Sequence, residues 1–412
     1  MNGAAPAEHD VIVVGAGPAG SAAAYALASG GVRVLLLDKA LFPREKVCGD
    51  GLTPRAVAAL DGMNLLDRLR PLGHAVGDIV VTAPGGGRVA AAVPGGTGAG
   101  RPPMLVVPRI HLDDAVRTRA VEAGASFEGG AEVEDIRREN GLVAVRALRA
   151  GRRATYSARL AIVATGASLV LPQRLRALRR PPVMMLAARS YVPAPSADAS
   201  SRIEIRFAGV PLPGYGWIFP ISSSAVNAGV GFYPRGRGPA PSAREVCRRF
   251  VGAIDARAGR DRGGPYPIRS YPLRVDFPAS RVHADGVLFA GEAAGLVNPL
   301  TGEGIDYALE SGRIAADHAA AFLADRDRSS RGFAAAASAY ERALRDRFER
   351  LFAVCRILRD TAARPALLNR LVGIAGRRDD LTMGLVNLVL GNREPLAAGS
   401  IRARLGRLLL AR

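Results

Sequence analysis

Lysine is almost absent from the 412-residue chain: Lys39 and Lys46 are the only two, and the other 54 basic residues are arginines. Against 37 acidic residues the formal charge is +19, a balance that by itself invites a nucleic acid or an anionic membrane as partner. The skew to arginine, together with abundant Ala, Gly and Pro, reads as a compositional bias that inflates the charge without a polyanionic partner. Aromatics are scarce too, at 5 %, and no stretch alternates them with basic residues, so no base-stacking platform is indicated and nucleic acid drops out. Only Cys48, Cys247 and Cys355 occur. Odd in number and far apart, they exclude a disulfide framework or a Cys-rich metal knuckle, predict no metal site and fit a reducing, cytoplasmic setting. No run of 18 apolar residues is present, so no membrane-spanning helix is expected. The first nine residues lack the basic and apolar regions of a secretion signal.

What is present is a chain that is 49 % hydrophobic, enough to bury a large core in one to three intimate domains. Asp10-Val-Ile-Val-Val14 is a short apolar strand, followed by Gly15-Ala-Gly17-Pro-Ala-Gly20, an alanine-rich helix to Ser29, a Gly30-Gly31 stop and a second strand from Val32 to Leu37. This is a βαβ unit. Further strands are expected at 79–83, 104–107, 142–148, 160–164, 202–207, 217–220, 225–232 and 286–290. Helices are expected at 54–69, 111–122, 242–258 and 304–324, and throughout 333–376. Two Gly/Pro-rich breaks, 84–103 and 193–201, read as surface loops.

Gly15-x-Gly17-x-x-Gly20 after a strand, opening a helix, with Asp38 closing the next strand, is a dinucleotide fingerprint in its proper context. Gly15 permits the tight turn, Gly17 lets the backbone approach a pyrophosphate, and Gly20 allows close helix-to-strand packing. The helix N-terminus supplies N–H groups, and Asp38 is expected to accept hydrogen bonds from ribose hydroxyls.

Later in the chain, Val287-Leu-Phe-Ala-Gly291-Glu292-Ala-Ala-Gly295 and Asn298-Pro-Leu-Thr-Gly302-Glu303-Gly304-Ile305 lead into a long helix. This pair resembles the second FAD motif of the glutathione-reductase-like flavoproteins, with Glu292 where those proteins usually carry Asp. Three further segments narrow the likeness: Phe42-Pro-Arg44-x-Lys46-x-Cys48-Gly49-Asp50-Gly51; Tyr215-x-Trp217-x-Phe219-Pro220 followed by Gly229-x-Gly231; and Asn298 to Tyr307. Over residues 8–320 the chain resembles the geranylgeranyl reductases, closest to the actinobacterial menaquinone reductases. The resemblance implies an α/β fold: a Rossmann-type FAD-binding domain (8–80, 104–170 and 275–330), an interleaved β-sheet substrate domain (81–103 and 171–274) and a helical C-terminal region (331–412).

It also implies FAD as cofactor, held by Gly15, Gly17, Gly20, Asp38, Arg44, Cys48, Gly49, Asp50, Arg109, Gly166, Glu292, Gly302, Gly304 and Ile305. Arg109 belongs to an Arg-x-x-Leu-Asp element expected over the pyrophosphate. The helix from about Gly304 is expected to aim its positive end at the flavin. The implied reaction is saturation of a C=C bond in a prenyl chain, with Tyr215 as proton donor or aromatic wall, Trp217 as a wall, and Cys48 as a modulator of the flavin. Ala164-Thr165-Gly166 stands where related hydroxylases carry Ala-Asp-Gly, so the electron donor stays open between NADPH and a redox partner. The competing reading is an FAD-dependent monooxygenase or halogenase-like tailoring enzyme. Finally, residues 341–412 carry an excess of arginine, and Ile401, Leu405, Leu408 and Leu409 share one helical face. Such a helix is expected either to pack on the body or to lie peripherally on the inner face of an anionic membrane, where a prenyl-lipid substrate resides.

Overall fold

The computed structural model describes residues 8–94, 102–196, 201–234, 241–260, 264, 266–361 and 364–390. Its first sheet grows from β1 (His9–Val14), whose residues from Val11 onward are buried, as a central parallel strand requires. The strand leads into α1 (Pro18–Ser29) and returns as β2 (Val34–Asp38), parallel to β1. On the far side of β1 lies β6 (Arg152–Val163), then β12 (Val287–Phe289), while β5 (Ser126–Gly129) extends the sheet beyond β2. β6 is long enough to serve two partners. Its second half pairs with β1, and its first half carries an antiparallel hairpin of Ala131–Glu139 and Leu142–Arg149.

The alanine run of α1 has a packing reason. The helix is wedged between the sheet and α4 (Ile305–Ala324), so closely that a Cβ on Gly312 would lie 2.2 Å from the Ala19 carbonyl oxygen. α5 (Ser330–Thr361) covers α4 through edge-to-face contacts of Tyr307 with Phe348 and Phe352. The Tyr340 hydroxyl of α5 donates to the Phe289 carbonyl at 2.6 Å.

The second sheet has seven strands in the order β11 (Arg269–Arg274), β7 (Met184–Pro193), β10 (Ala225–Phe232), β9 (Gly214–Pro220), β8 (Arg202–Arg206), β3 (Asp78–Thr82) and β4 (Arg88–Ala92). All neighbours are antiparallel except β8 and β3. The period-two alternation of strands assigns its faces. Val226, Ala228, Val230 and Phe232 pack under the helix Ala243–Arg257, whereas Tyr215, Trp217 and Phe219 lie on the opposite face with α6 (Pro365–Ala375) and α7 (Asp379–Val389).

Several expectations shift. The helix expected over 54–69 splits into α2 (Pro54–Asp61) and a single turn, Leu66–Leu69, because Asn64 adopts φ +57° between them. The helical run from 333 breaks ahead of Pro365. The loop expected at 84–103 contains β4, and the chain enters the second sheet at Asp78, ahead of residue 81. Among the described residues no helix is long and apolar enough to cross a membrane. The amphipathic segment 400–412 lies outside the described residues.

Candidate active site

The two sheets and the C-terminal helices enclose one continuous cavity of about 1280 Å³. At its first end is the β1–α1 turn. Gly15 has φ +103°, and a Cβ there would lie 2.4 Å from the Ala164 carbonyl oxygen; one on Gly20 would lie 1.8 Å from the Gly15 carbonyl oxygen. Only glycine fits either position. Gly17, by contrast, faces open space apart from the Arg44 guanidinium, 3.5 Å from its virtual Cβ. Gly17 is also the N-cap of α1, with no side chain on the free N–H groups. This is an anion cradle.

Charge is arranged around it. Asp113 is fully buried and binds two arginines at once: Arg109 by Nε and Nη2 at 2.6 and 2.8 Å, and Arg44 by Nη1 at 3.0 Å. Two guanidiniums on one carboxylate leave a surplus positive charge beside the cradle, suited to a pyrophosphate. Asp113 raises the pKa of Arg109 further, against the opposing effect of burial. Asp38 lines the cavity while accepting from the Ala16 and Ala40 amides at 2.7 and 2.8 Å. It therefore fixes the turn as well as facing the ribose position.

In the middle of the cavity, Gly166, Glu292, Gly302, Gly304 and Ile305 converge. Gly166 has φ +66°, and its virtual Cβ lies 3.3 Å from Glu292 Oε2 and 3.4 Å from the Tyr271 hydroxyl. Glu292 Oε1 accepts from the Arg274 amide at 3.0 Å, and Oε2 is 3.7 Å from Lys46 Nζ. Lys46 in turn lies 3.1 Å from the Tyr271 ring centroid. Both lysines of the chain, Lys39 and Lys46, border the cavity. The Thr165 hydroxyl oxygen is buried without a partner.

The segment Cys48-Gly49-Asp50 runs from the first sheet into Gly51–Leu52, a short strand of a third, three-stranded sheet, and packs against the second sheet on the way. Burial pushes the Cys48 thiol and the Asp50 carboxyl up from their usual pKa ranges. Asp50, with φ +64°, accepts from the Tyr191 hydroxyl and Asn227 Nδ2, both at 2.7 Å, and from the Arg109 amide at 3.3 Å. Asn227 Nδ2 also donates to the Cys48 carbonyl at 2.7 Å, while its Oδ1 accepts from Trp217 Nε1 at 3.0 Å. Asp50 thus ties its own segment and the start of the helix Arg109–Glu122 to the second sheet through its carboxyl group. Tyr191 and Asn227 escaped sequence reasoning because neither belongs to a motif: only the sheet register brings them opposite Asp50.

The register also explains the aromatic motif. Trp217 pairs with Gly229 and Tyr215 with Gly231. A Cβ on Gly229 would lie 2.2 Å from the Trp217 ring, and one on Gly231 would lie 2.5 Å from Met185 Cε. The glycines are absent side chains that make room for the indole and the thioether. Tyr215 lines the cavity, but its hydroxyl donates to the Thr301 carbonyl, and burial pushes its pKa up. Its hydroxyl proton already has an acceptor in that carbonyl. Tyr233 makes a parallel staple, donating to the Pro299 carbonyl at 2.6 Å.

The chain matches the family described as FAD binding domain over residues 8–331. It is 36 % identical over 397 residues to the menaquinone reductase of Mycolicibacterium smegmatis, covering 93 % of this chain and 91 % of that one. It is 30 % identical to digeranylgeranylglycerophospholipid reductase 1 of Methanopyrus kandleri, covering 83 % and 88 %. The chain is an FAD-dependent oxidoreductase of the geranylgeranyl reductase family. A solved Thermoplasma acidophilum structure, described as geranylgeranyl bacteriochlorophyll reductase-like, shares the fold with a TM-score of 0.78 at 21 % identity, over 97 % of this chain and 99 % of that one.

The observed geometry fits FAD. The glycine cradle, the free N-terminus of α1 and the Arg44–Asp113–Arg109 cluster suit its pyrophosphate. The unpartnered Thr165 hydroxyl, Glu292 and the N-terminus of α4 border the stretch that a ribityl chain and ring would occupy. Bound there, the flavin supplies two-electron hydride chemistry.

Proposed function

We propose that the protein saturates a carbon–carbon double bond in an isoprenoid chain, such as a geranylgeranyl group or a menaquinone side chain. The observation that carries this reading is the second end of the cavity. Beyond Trp217 it continues between the second sheet and α6–α7, walled by residues such as Ile203, Ile205, Leu368, Val372 and Leu390, with Arg359 the one charged side chain there among the described residues. An apolar chamber opening directly off a dinucleotide site suits a long hydrocarbon whose reacting bond must lie against the cofactor. An isolated alkene has no carbonyl to polarise, so rate comes from holding it in place and from a well-placed acid. Trp217, Tyr215 and Phe219 form the wall that presses it, and the Asp50–Asn227 network fixes that wall to the Cys48–Gly49 segment.

The test is anaerobic incubation of chemically reduced protein with a panel of prenyl compounds, followed by mass spectrometry. A gain of two hydrogens is expected. No gain with any prenyl chain, while the flavin reoxidises on another compound, sinks the reading, and incorporation of oxygen from labelled dioxygen would identify a monooxygenase instead. Thr165 offers no carboxylate where the related hydroxylases have one, which favours a protein electron donor over NADPH. Anaerobic mixing with NADPH should then leave the flavin absorbance unbleached. The arginine-rich 400–412 segment supports a peripheral membrane position for collecting such a substrate. Flotation with anionic vesicles should carry the full chain upward and leave a chain truncated at residue 395 behind, whereas equal flotation of both removes this role.

A further inference from the structure

Reduction of an isolated alkene needs a proton as well as a hydride, and the hydroxyl of Tyr215 is committed to a backbone carbonyl. A different acid borders the same cavity. Glu303 lies between Gly302 and Gly304 in the loop that Tyr215 and Tyr233 staple to the second sheet. Its two carboxyl oxygens are used unequally. Oε1 caps α4, accepting from the amides of Ile305 at 2.9 Å and Asp306 at 3.3 Å. Oε2 is buried and accepts from no donor, and the Glu303 carboxyl lies in hydrogen-bond contact with that of Asp306.

The neighbouring Asp306 is the opposite case. It meets Arg55 Nη1 at 3.2 Å, the Tyr307 amide at 2.7 Å and the Thr53 hydroxyl at 3.4 Å. Glu303 has no such set of donors on its second oxygen, and a buried carboxyl without donors favours its protonated form. The charged and titratable groups facing Glu303 point the same way: Asp306 and Tyr307 from α4 and Tyr215 from β9, with Arg55 engaged on the far side of Asp306. Burial, reinforced by the Asp306 charge, holds the Glu303 carboxyl well above its ordinary value. A carboxylic acid kept neutral in this way can act as a proton donor near neutral pH.

We propose that Glu303 is the acid of the reaction, delivering its carboxyl proton to the substrate double bond. This rests on the prenyl-reduction reading. One alkene carbon accepts hydride from the reduced flavin while the other takes the Glu303 proton. The π bond is lost, two C–H bonds form, the cofactor is oxidised by two electrons, and Glu303 is left as a carboxylate that regains a proton from water after product leaves. The N-terminal end of α4, already hydrogen-bonded to Oε1, stabilises that carboxylate.

Two measurements on the flavin-loaded protein test this. Infrared spectroscopy of the resting wild-type protein should show a protonated-carboxyl stretch that shifts in D2O and is missing in Glu303→Gln, a change that retains the Oε1 cap. In anaerobic single turnover, E303Q should bind FAD with an unchanged absorption spectrum but lose on the order of 10²- to 10⁴-fold in the rate of alkene reduction. The wild-type rate should fall as pH rises through the elevated Glu303 pKa, and the residual E303Q rate should be flat. Glu303→Asp, which keeps an acid on a shorter arm, should recover part of the rate and serves if E303Q folds poorly. A wild-type minus E303Q difference spectrum with no protonated-carboxyl band, or an E303Q rate equal to wild type, overturns the assignment. If the wild-type protein itself hydrogenates no prenyl chain, the functional reading falls and this role falls with it; if the wild type does and E303Q matches it, only the role falls.

Discussion

Asn227 uses every polar atom of its amide across the junction of the two sheets, holding Cys48, Asp50 and Trp217 at once. Removing it takes the partner from the indole N–H of Trp217 and from the Cys48 carbonyl, and leaves Asp50 Oδ2 with Tyr191 alone. Asn227→Ala should cost about 1–3 kcal/mol in stability by the usual scale for orphaned buried groups, read as a lowered urea midpoint with FAD bound. Two residues further along the same strand, Gly229→Ala places a methyl against the Trp217 ring and the Ala188 carbonyl, which lies 2.6 Å from its Cβ position. Overpacking of this kind costs about 1–3 kcal/mol. The tryptophan must tilt, so a shift in the fluorescence of this single Trp should accompany the lowered melting temperature, and an unshifted spectrum would contradict the contact.

Whole elements meet through comparable junctions. α4 is tied to α2 and α5 by Glu310, which pairs with Arg55 Nη2 at 2.6 Å and with Arg347. Burial alone would raise its pKa, but the hydrogen bond from Arg347 and the charge of Arg55 outweigh that and leave it below the ordinary 4.5. A lowered folded-state pKa means stability that is present above the unfolded value and lost as pH falls through the folded one. Glu310→Gln should therefore be less stable than wild type at pH 7, with the two melting curves converging in acid. At the other end of the cavity, Val372 on α6 borders the apolar chamber. Val372→Trp should exclude long prenyl chains while leaving the FAD spectrum intact, checked by comparing substrates of increasing length. Such junctions also mark where the sequence was legible. The cradle of Gly15, Gly17 and Gly20 and the Arg44 and Arg109 positions could be read because backbone conformation and charge are encoded locally. Tyr191, Asn227 and Glu303 could not: their significance comes from strand register and from a partnerless oxygen, neither of which leaves a spacing in the chain. Tyr215 was visible as an aromatic, but its hydroxyl partner on a distant loop was not.

At the scale of the molecule, the cofactor cradle belongs to one sheet and the substrate wall to the other, with a single cavity running through both. The segment at residues 48–50 borders the cavity and is clamped, through Asp50 and Asn227, to the aromatic strand of the second sheet. That clamp makes the cofactor an optical gauge of the chamber. A saturated hydrocarbon chain that cannot react, titrated into the oxidised protein, should therefore shift the visible absorption of the flavin through Trp217, Asn227 and the Cys48–Gly49 segment, and an unshifted spectrum would contradict the coupling. In N227A the same titration should fill the chamber silently.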